Sequence, residues 1–351
     1  MKKKILIAPL NWGLGHATRC IPIINALIQH NFIPVLASDG AALSLLRKEF
    51  PDLEALELPS YNITYSKKGY FLKLKLLKDS PRIMKTIRDE QNEIKSIVKT
   101  HTIDGIISDN RFGVYHKDLP SVFITHQLKV LSGNTTWLST KLHQKTIKRF
   151  DECWVPDNFG QPNLSGRMGH IENPMLNIKY IGPLSRFQKT SSKSAYDIMV
   201  LLSGPEPQRE ILEKKLLEEF KDYKGKVLFV KGVVEDEQTV QESGNLTINN
   251  FMTTDLLEKS LNSSRLIIAR SGYTTIMDLA KLGKKAFFIP TPGQFEQGYL
   301  AKRMQENHLA PFCKQDDFSL EKLKDIDNFK GLEAFDDASN FKELFHLFEG
   351  K

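Results

Sequence analysis

The run Ile267-Ile268-Ala269-Arg270-Ser271-Gly272-Tyr273-Thr274-Thr275-Ile276-Met277-Asp278-Leu279-Ala280 decides how the rest of the chain is read. It opens on the end of a short apolar segment, and that composition predicts a buried strand over 265–269. Ser271 and Gly272 then turn the chain without bulk, and a helical pattern begins. A strand that passes through such a turn into a helix points free backbone N–H groups and the positive helix end at one spot, a cradle for an anion. Asp278 lies about two turns into the helix, on the side expected to face the strand ends. A carboxylate there can hold two ribose hydroxyls. A helix cap with polar surface residues would account for each piece singly, and less well for their coincidence at one strand end.

Working outward, the next predicted strand, 285–289, ends in Pro290-Thr291-Pro292-Gly293-Gln294-Phe295-Glu296-Gln297-Gly298. Amides such as Gln294 and Gln297 both donate and accept, which suits sugar hydroxyls. Upstream, a strand over 196–202 runs into Ser203-Gly204-Pro205 and a helix over about 206–220, with further strands at 226–230 and 246–248. The chain opens with the same sentence: a strand over 4–10, a glycine turn, a helix over 17–29, then strands at 32–37, 53–58, 103–108, 121–125, 153–155 and 178–182. Alternation of this kind predicts parallel sheets with helices on both faces, their carboxyl ends on one edge. The fold class expected is α/β, two Rossmann-like doubly wound domains facing across a cleft. Residues 1–184 form the first domain, the polar stretch 185–195 a linker, and 196–330 the second domain. Residues 331–351 carry an amphipathic helix with Phe341, Leu344, Phe345 and Phe348 on one face, expected to pack back on the first domain.

In the first domain the turn reads Asn11-Trp12-Gly13-Leu14-Gly15-His16-Ala17-Thr18-Arg19. Asn11, Gly13 and Gly15 form a candidate acceptor or phosphate loop. The third glycine of a dinucleotide fingerprint is missing and no acidic residue clearly ends the second strand, which argues against NAD. His16 sits at a helix start, where the helix field disfavours its protonated form. A neutral imidazole there can take a proton from an attacking hydroxyl, although a lone histidine is ordinarily a cap or core residue. Asp109, in Ser108-Asp109-Asn110-Arg111, follows a buried strand at the same edge. It can orient His16, bind an acceptor hydroxyl, act as the base itself, or simply cap the following turn. His126 lies at the same edge.

Composition narrows the class. With 351 residues, 40% hydrophobic and 26% charged, the chain is an ordinary globular protein of two-domain size. The basic start Met1-Lys2-Lys3-Lys4 precedes an apolar run too short for a signal peptide or a membrane span, and a cytoplasmic location is expected. Cys20, Cys153 and Cys313 are far apart and form neither a disulfide framework nor a thiolate metal site. A net charge of +7 suits an anionic partner, and no nucleic-acid motif accompanies it. The stretch 67–88 mixes many Lys and Arg with Tyr70, Phe71 and several leucines, in a helix over 71–99 expected to break near Ser80-Pro81. It is either a solvated helix face or a contact for the inner face of an anionic membrane.

Taken together, these residues resemble the GT-B glycosyltransferases of family 28, the peptidoglycan-precursor N-acetylglucosaminyltransferase and galactolipid synthase type. The specific part spans about 250–308. The resemblance implies that the donor diphosphate binds along Arg270, Ser271 and Gly272, with Ser203-Gly204 as the counterpart glycine turn. It implies Asp278 as the ribose acid, where glutamate is usual, and Met252 of Asn250-Phe251-Met252 at the uracil-contacting turn. It further implies Gln297 as a reader of the donor sugar, with Gly298 where the peptidoglycan enzyme has a second glutamine. His16 matches the histidine of the first loop. The activity implied is inverting transfer from a UDP-type sugar, with no cofactor or metal. Arg270, and secondarily Arg186, would take over the metal's role at the departing diphosphate. The acceptor is unidentified, lipid-linked or saccharide. Rival expectations on the same scaffold are a nucleotide-sugar hydrolase, an epimerase, whose clustered catalytic acids are not recognisable, and a non-catalytic nucleotide-sugar-binding protein.

Overall fold

The computed structural model describes residues 2–61, 72–171, 175–204, 206–233, 235, 237–332 and 340–350, with the backbone alone for 72–80 and Asn134. The chain forms two compact units, one built mainly from residues up to Leu184 together with the C-terminal helix, the other from Ser185 onward.

The first unit runs β1 (Lys4–Pro9), α1 (Gly15–Gln29), β2 (Ile33–Ser38), α2 (Gly40–Glu49), β3 (Ala55–Glu57), α3 (Leu72–His101), β4 (Gly105–Asp109), β5 (Ser121–Ile124), α4 (Thr136–Ile147), β6 (Glu152–Val155) and β7 (Ile178–Tyr180). Its sheet is ordered β3-β2-β1-β4-β5-β6-β7, and every pairing is parallel. Ile5, Leu6, Ile7, Ile106 and Ile107 are fully buried, as expected for central strands covered on both faces. Leu6, Ala8, Val35 and Ile106 pack against Ile94 and Ile97 of α3.

The break expected at Ser80-Pro81 is not there: α3 continues through Pro81. A proline inside a helix costs about 3 kcal/mol. Downstream, Thr86, Glu90, Ile94 and Ile97 are buried at helical spacing, so packing supports the helix beyond the missing N–H. Of the basic stretch, residues 67–71 lie outside the described residues, while Arg82, Lys85 and Arg88 are exposed. Among the described residues no helix is long and apolar enough to cross a membrane.

The second unit runs β8 (Tyr196–Leu201), α5 (Gln208–Phe220), β9 (Val227–Val230), β10 (Val240–Ser243), β11 (Leu246–Asn249), α6 (Thr254–Asn262), β12 (Ser264–Ala269), α7 (Tyr273–Leu282), β13 (Lys285–Phe288) and α8 (Phe295–Glu306). The sheet order is β10-β11-β9-β8-β12-β13, parallel except for the β10–β11 hairpin. A final helix, α9 (Phe341–Glu349), packs on the first unit: Phe345 and Phe348 meet Phe32 edge-on at 5.6 and 6.4 Å, and Lys3 Nζ donates to the Phe348 carbonyl at 2.8 Å.

Each sheet has one place where successive connections leave in opposite directions. In the first it lies between β1 and β4, in the second between β8 and β12. Open α/β sheets bind ligands beside the carboxyl ends of the strands at such points.

Candidate functional site

At the first switch point the carboxyl end of β4 supplies Asp109 and the start of α1 supplies His16 and Arg19. The Leu10 N–H donates to the Asp109 carbonyl at 2.9 Å, stitching the end of β1 to the end of β4. Gly13 follows with φ of +78°, a left-handed conformation that glycine adopts without strain. His16 stands in the first turn of α1, and Arg19, three residues on, shares its face.

The carboxylate of Asp109, 0% exposed, is the hub. His16 Nδ1 lies 2.9 Å from Oδ1. Arg19 donates Nε to Oδ2 at 2.5 Å and a terminal nitrogen to Oδ1. Its other terminal nitrogen lies 3.1 Å from His126 Nδ1. Cys20 Sγ contacts Oδ2 at 3.6 Å. Burial alone would raise the Asp109 pKa, but the adjoining Arg19 and His16 hold it well below the usual range. His16 is lowered from 6.5, chiefly by burial, with Arg19 adding to the effect and Asp109 opposing it. Nδ1 also lies 3.0 Å from an Arg19 terminal nitrogen, so it stands between a donor-only guanidinium and an acceptor-only carboxylate; the tautomer that satisfies Asp109 carries its proton on Nδ1. Nε2 then keeps its lone pair. The His16 side chain is 14% exposed.

Asn11 is turned to a structural task. Its Nδ2 donates to Asp39 Oδ2 at 3.0 Å and its Oδ1 accepts the Ala42 N–H at 3.3 Å, pinning the loop to the start of α2. Asp39 in turn accepts from Arg111 at 2.7 Å. Arg111 also donates to Glu90 at 2.7 Å, and Glu90 accepts from the Tyr61 hydroxyl at 2.6 Å. Gly15 is the first residue of α1.

At the second switch point Gly272 is the N-cap of α7 and makes no side-chain capping bond. Ser271 Oγ donates to the Gln297 carbonyl at 2.9 Å, and the Thr291 N–H donates to Gln297 Oε1 at 2.8 Å. These bonds hold the starts of α7 and α8 together. Gln294 is the N-cap of α8 and its side chain makes no capping bond. Ser203 and Gly204 are exposed after β8, and Gly204 has φ of +103°. The buried Thr291 hydroxyl has no hydrogen-bond partner among the described residues, and it lies 3.8 Å from where a Gly204 side chain would begin.

Asp278 is half-buried. Its Oδ1 accepts from Ser185 Oγ at 2.7 Å. Burial raises its pKa to about 7, against the lowering effect of nearby Arg186 and of the Ser185 bond. Met252 is half-buried between β11 and α6. Asn250 fixes the preceding turn, accepting the Thr239 N–H at 2.8 Å and the Phe251 N–H at 2.9 Å.

Arg270 takes a different position from the one its place after a strand suggests. Its guanidinium is buried and donates to the carbonyls of Ile289, Pro290 and Gln208 and to Gln315 Oε1, at 2.6–3.2 Å. These bonds tie loops together and turn the cation inward. Arg186 donates to Thr254 Oγ1 at 2.8 Å, close enough to Asp278 to act on its charge. Among the described residues no three His, Cys, Asp or Glu side chains cluster to hold a metal ion.

The residues that the sequence reading did not select are Arg19, Ser185 and Thr291. Only Arg19 left a usable signal, its i+3 spacing from His16 on a helix start.

Residues 206–330 match the glycosyltransferase family 28 C-terminal domain. The chain is 23% identical over 294 residues to the UDP-N-acetylglucosamine–N-acetylmuramyl-(pentapeptide) pyrophosphoryl-undecaprenol N-acetylglucosamine transferase of Haemophilus ducreyi, covering 78% of each chain. Its fold is similar to that of MurG from Acinetobacter baumannii, with TM-score 0.57, 14% identity and 99% of each chain covered. It is also similar to a UDP-glucosyltransferase from Polygonum tinctorium, with TM-score 0.63, 14% identity, 100% of this chain and 99% of the other. Residues 206–330 thus match the family 28 glycosyltransferase C-terminal domain, and the fold of the whole chain is that of GT-B glycosyltransferase structures.

Proposed function

We propose that the chain transfers a sugar from a UDP-type donor to an acceptor hydroxyl by a single inverting displacement, with His16 as general base. The observation that carries this is the His16–Asp109–Arg19 constellation at a sheet switch point. His16 Nε2 takes the proton of the acceptor hydroxyl as its oxygen attacks the anomeric carbon. The bond from that carbon to the diphosphate breaks, and the nucleoside diphosphate leaves. Asp109 holds the ring in the productive tautomer and stabilises the imidazolium that forms, while Arg19 keeps Asp109 ionised. The resemblance to UDP-sugar enzymes supports a donor in the second unit. There the N-terminus of α7 at Gly272, with Ser203 and Gly204, would hold the diphosphate. Asp278 would hold the ribose, Met252 would line the base, and Gln294 and Gln297 would face the sugar. The helix N-terminus supplies positive potential, so the reading needs no metal. Buried Arg270 supports the loops and leaves direct contact with the diphosphate to backbone N–H groups.

The test is a screen of UDP-, GDP-, dTDP- and CMP-sugars, following thermal stabilisation and nucleotide release with and without lipid extract. Stabilisation by a UDP-sugar, with release that awaits an acceptor, is expected. Rapid release with no acceptor would instead assign hydrolysis, since the same dyad can activate water. No stabilisation by any nucleotide sugar would remove the donor assignment.

Asp278→Asn has two expected outcomes. The KM for the donor rises about tenfold, the loss of roughly one charge-assisted hydrogen bond, with kcat little changed. Stability changes in the opposite direction at high pH. The folded pKa is raised, so wild-type stability is full below the unfolded value of 3.8 and falls as pH rises through about 7. The variant lacks that loss, so its melting temperature exceeds wild type at about pH 8 and the two converge near pH 4. A variant that melts lower at both pH values would contradict the burial argument.

A further inference from the structure

We propose that Thr291 is a further donor-binding residue, its hydroxyl hydrogen-bonding a phosphoryl oxygen of the nucleoside diphosphate. This role rests on a donor held in the second unit, as proposed above. Thr291 is 2% exposed, and its Oγ1 has no hydrogen-bond partner among the described residues. The rest of the residue is fully engaged. Its N–H donates to Gln297 Oε1 at 2.8 Å, and its carbonyl accepts the Gln294 N–H at 3.1 Å. Just before it, the Ile289 and Pro290 carbonyls accept from Arg270 at 3.0 and 3.2 Å. The loop is braced on both sides, so the hydroxyl stands at a fixed place, and it alone lacks a partner. A hydroxyl buried in this way costs stability that an apolar side chain of the same shape would not.

The register of the sheet shows what the hydroxyl faces. β8, β12 and β13 lie side by side and parallel, with Leu201, Ala269 and Phe288 in one row. Three residues beyond that row stand Gly204, Gly272 and Thr291. β12 separates β8 from β13, so their ends would lie about 9–10 Å apart if the strands ran straight on. Instead Thr291 Oγ1 lies 3.8 Å from where a Gly204 side chain would begin, and it is the one described heavy atom beyond Gly204's chain neighbours within 4 Å of that point. The two loops therefore close over the end of β12, where α7 begins, and the hydroxyl borders the space that the exposed Gly204 leaves open. Charge selects the ligand. The Arg270 guanidinium is turned inward, and Ser271 Oγ already donates to the Gln297 carbonyl. Thr291 Oγ1 is a buried donor left over beside a helix N-terminus, whose positive potential favours an anion. A phosphoryl oxygen only accepts, and it matches both features.

The test is calorimetric titration of the full chain with UDP and with UDP-sugars, together with thermal melting of the unliganded proteins. Thr291→Val should weaken UDP binding about ten- to a hundredfold, the worth of one hydrogen bond to a charged group. The same variant should melt at or above the wild-type temperature, because valine removes the unmatched hydroxyl; a purely structural threonine would give the opposite sign. Thr291→Ser keeps the hydroxyl and should hold UDP affinity within about threefold of wild type. Unchanged UDP binding by Thr291→Val would overturn the assignment while leaving the donor site in place. Lower melting of Thr291→Val would also overturn it, since the hydroxyl would then serve the fold. Loss confined to UDP-sugars, with UDP unaffected, would put the hydroxyl against the sugar instead of the phosphate. A wild-type chain that binds neither UDP nor GDP nor dTDP would remove the donor reading itself, and this role with it.

Discussion

Replacing His16 with alanine is expected to lower kcat by roughly a thousandfold, the usual worth of a positioned general base. The melting temperature should move little. The side chain sits at the rim of the cluster, and Asp109 keeps both bonds from Arg19 when the imidazole is gone. Thermal stabilisation by the donor should persist, since the donor contacts assigned above lie in the second unit. The pH profile supplies an independent signature. His16 must be neutral to accept a proton, and burial puts its pKa below 6.5. Wild-type kcat/KM should therefore hold its plateau down through pH 7 and fall only below 6.5, as the ring protonates. In the alanine variant that acid limb should vanish along with most of the rate. A variant that keeps turnover within about tenfold, with the limb intact, would move the base elsewhere. His126, on the far side of Arg19, would be the next residue to test.

What could be read from the sequence was whatever depends on local pattern. Central strands such as β1, β4 and β12 are buried on both faces, so they appear as unbroken apolar runs between turns. The glycine turns after β1 and β12 were equally plain and pointed to His16 and Gly272, while Asp109 was marked by its place directly after the apolar run of β4. β10 escaped because an edge strand whose residues are all exposed has no apolar periodicity to show. Only the Gly244-Asn245 turn between β10 and β11 marks the hairpin. Pro81 misled in the other direction, because its local cost is outweighed by packing that lies farther along α3.

The site shows the same division. Arg270 follows a strand just as a phosphate-binding cation would. Its inward course depends on Gln208 and Gln315, 62 and 45 residues away, and no local pattern reports that. Ser185 reads as polar linker, yet its hydroxyl donates to Asp278 across 93 residues. Residue type and position in a turn mark which side chains stand at the functional edge. Tertiary contacts decide which of them remain free for a ligand.

Asp109 offers the sharpest separation of structure from chemistry, and the largest expected effect on stability. Asp109→Ala should cost about 3–5 kcal/mol, because it leaves the buried guanidinium of Arg19 without its counter-charge. Asp109→Asn keeps the shape, but an amide has one acceptor oxygen where the carboxylate has two. Its NH2 must face Arg19 in either orientation, and in one of them it faces His16 Nδ1 as well, donor against donor. The proton on His16 Nδ1 is then no longer enforced, and turnover should drop roughly a hundredfold to ten-thousandfold even where the protein stays folded. Arg19→Met combined with Asp109→Leu should recover much of the stability lost in Asp109→Ala, since the pair no longer leaves an unmatched buried charge. It should recover none of the turnover, because nothing then orients the imidazole. Urea unfolding and single-turnover transfer on the same three proteins separate these effects. If the apolar pair regained activity along with stability, Asp109 would be a structural partner of Arg19 alone. His16 would then work without an orienting carboxylate.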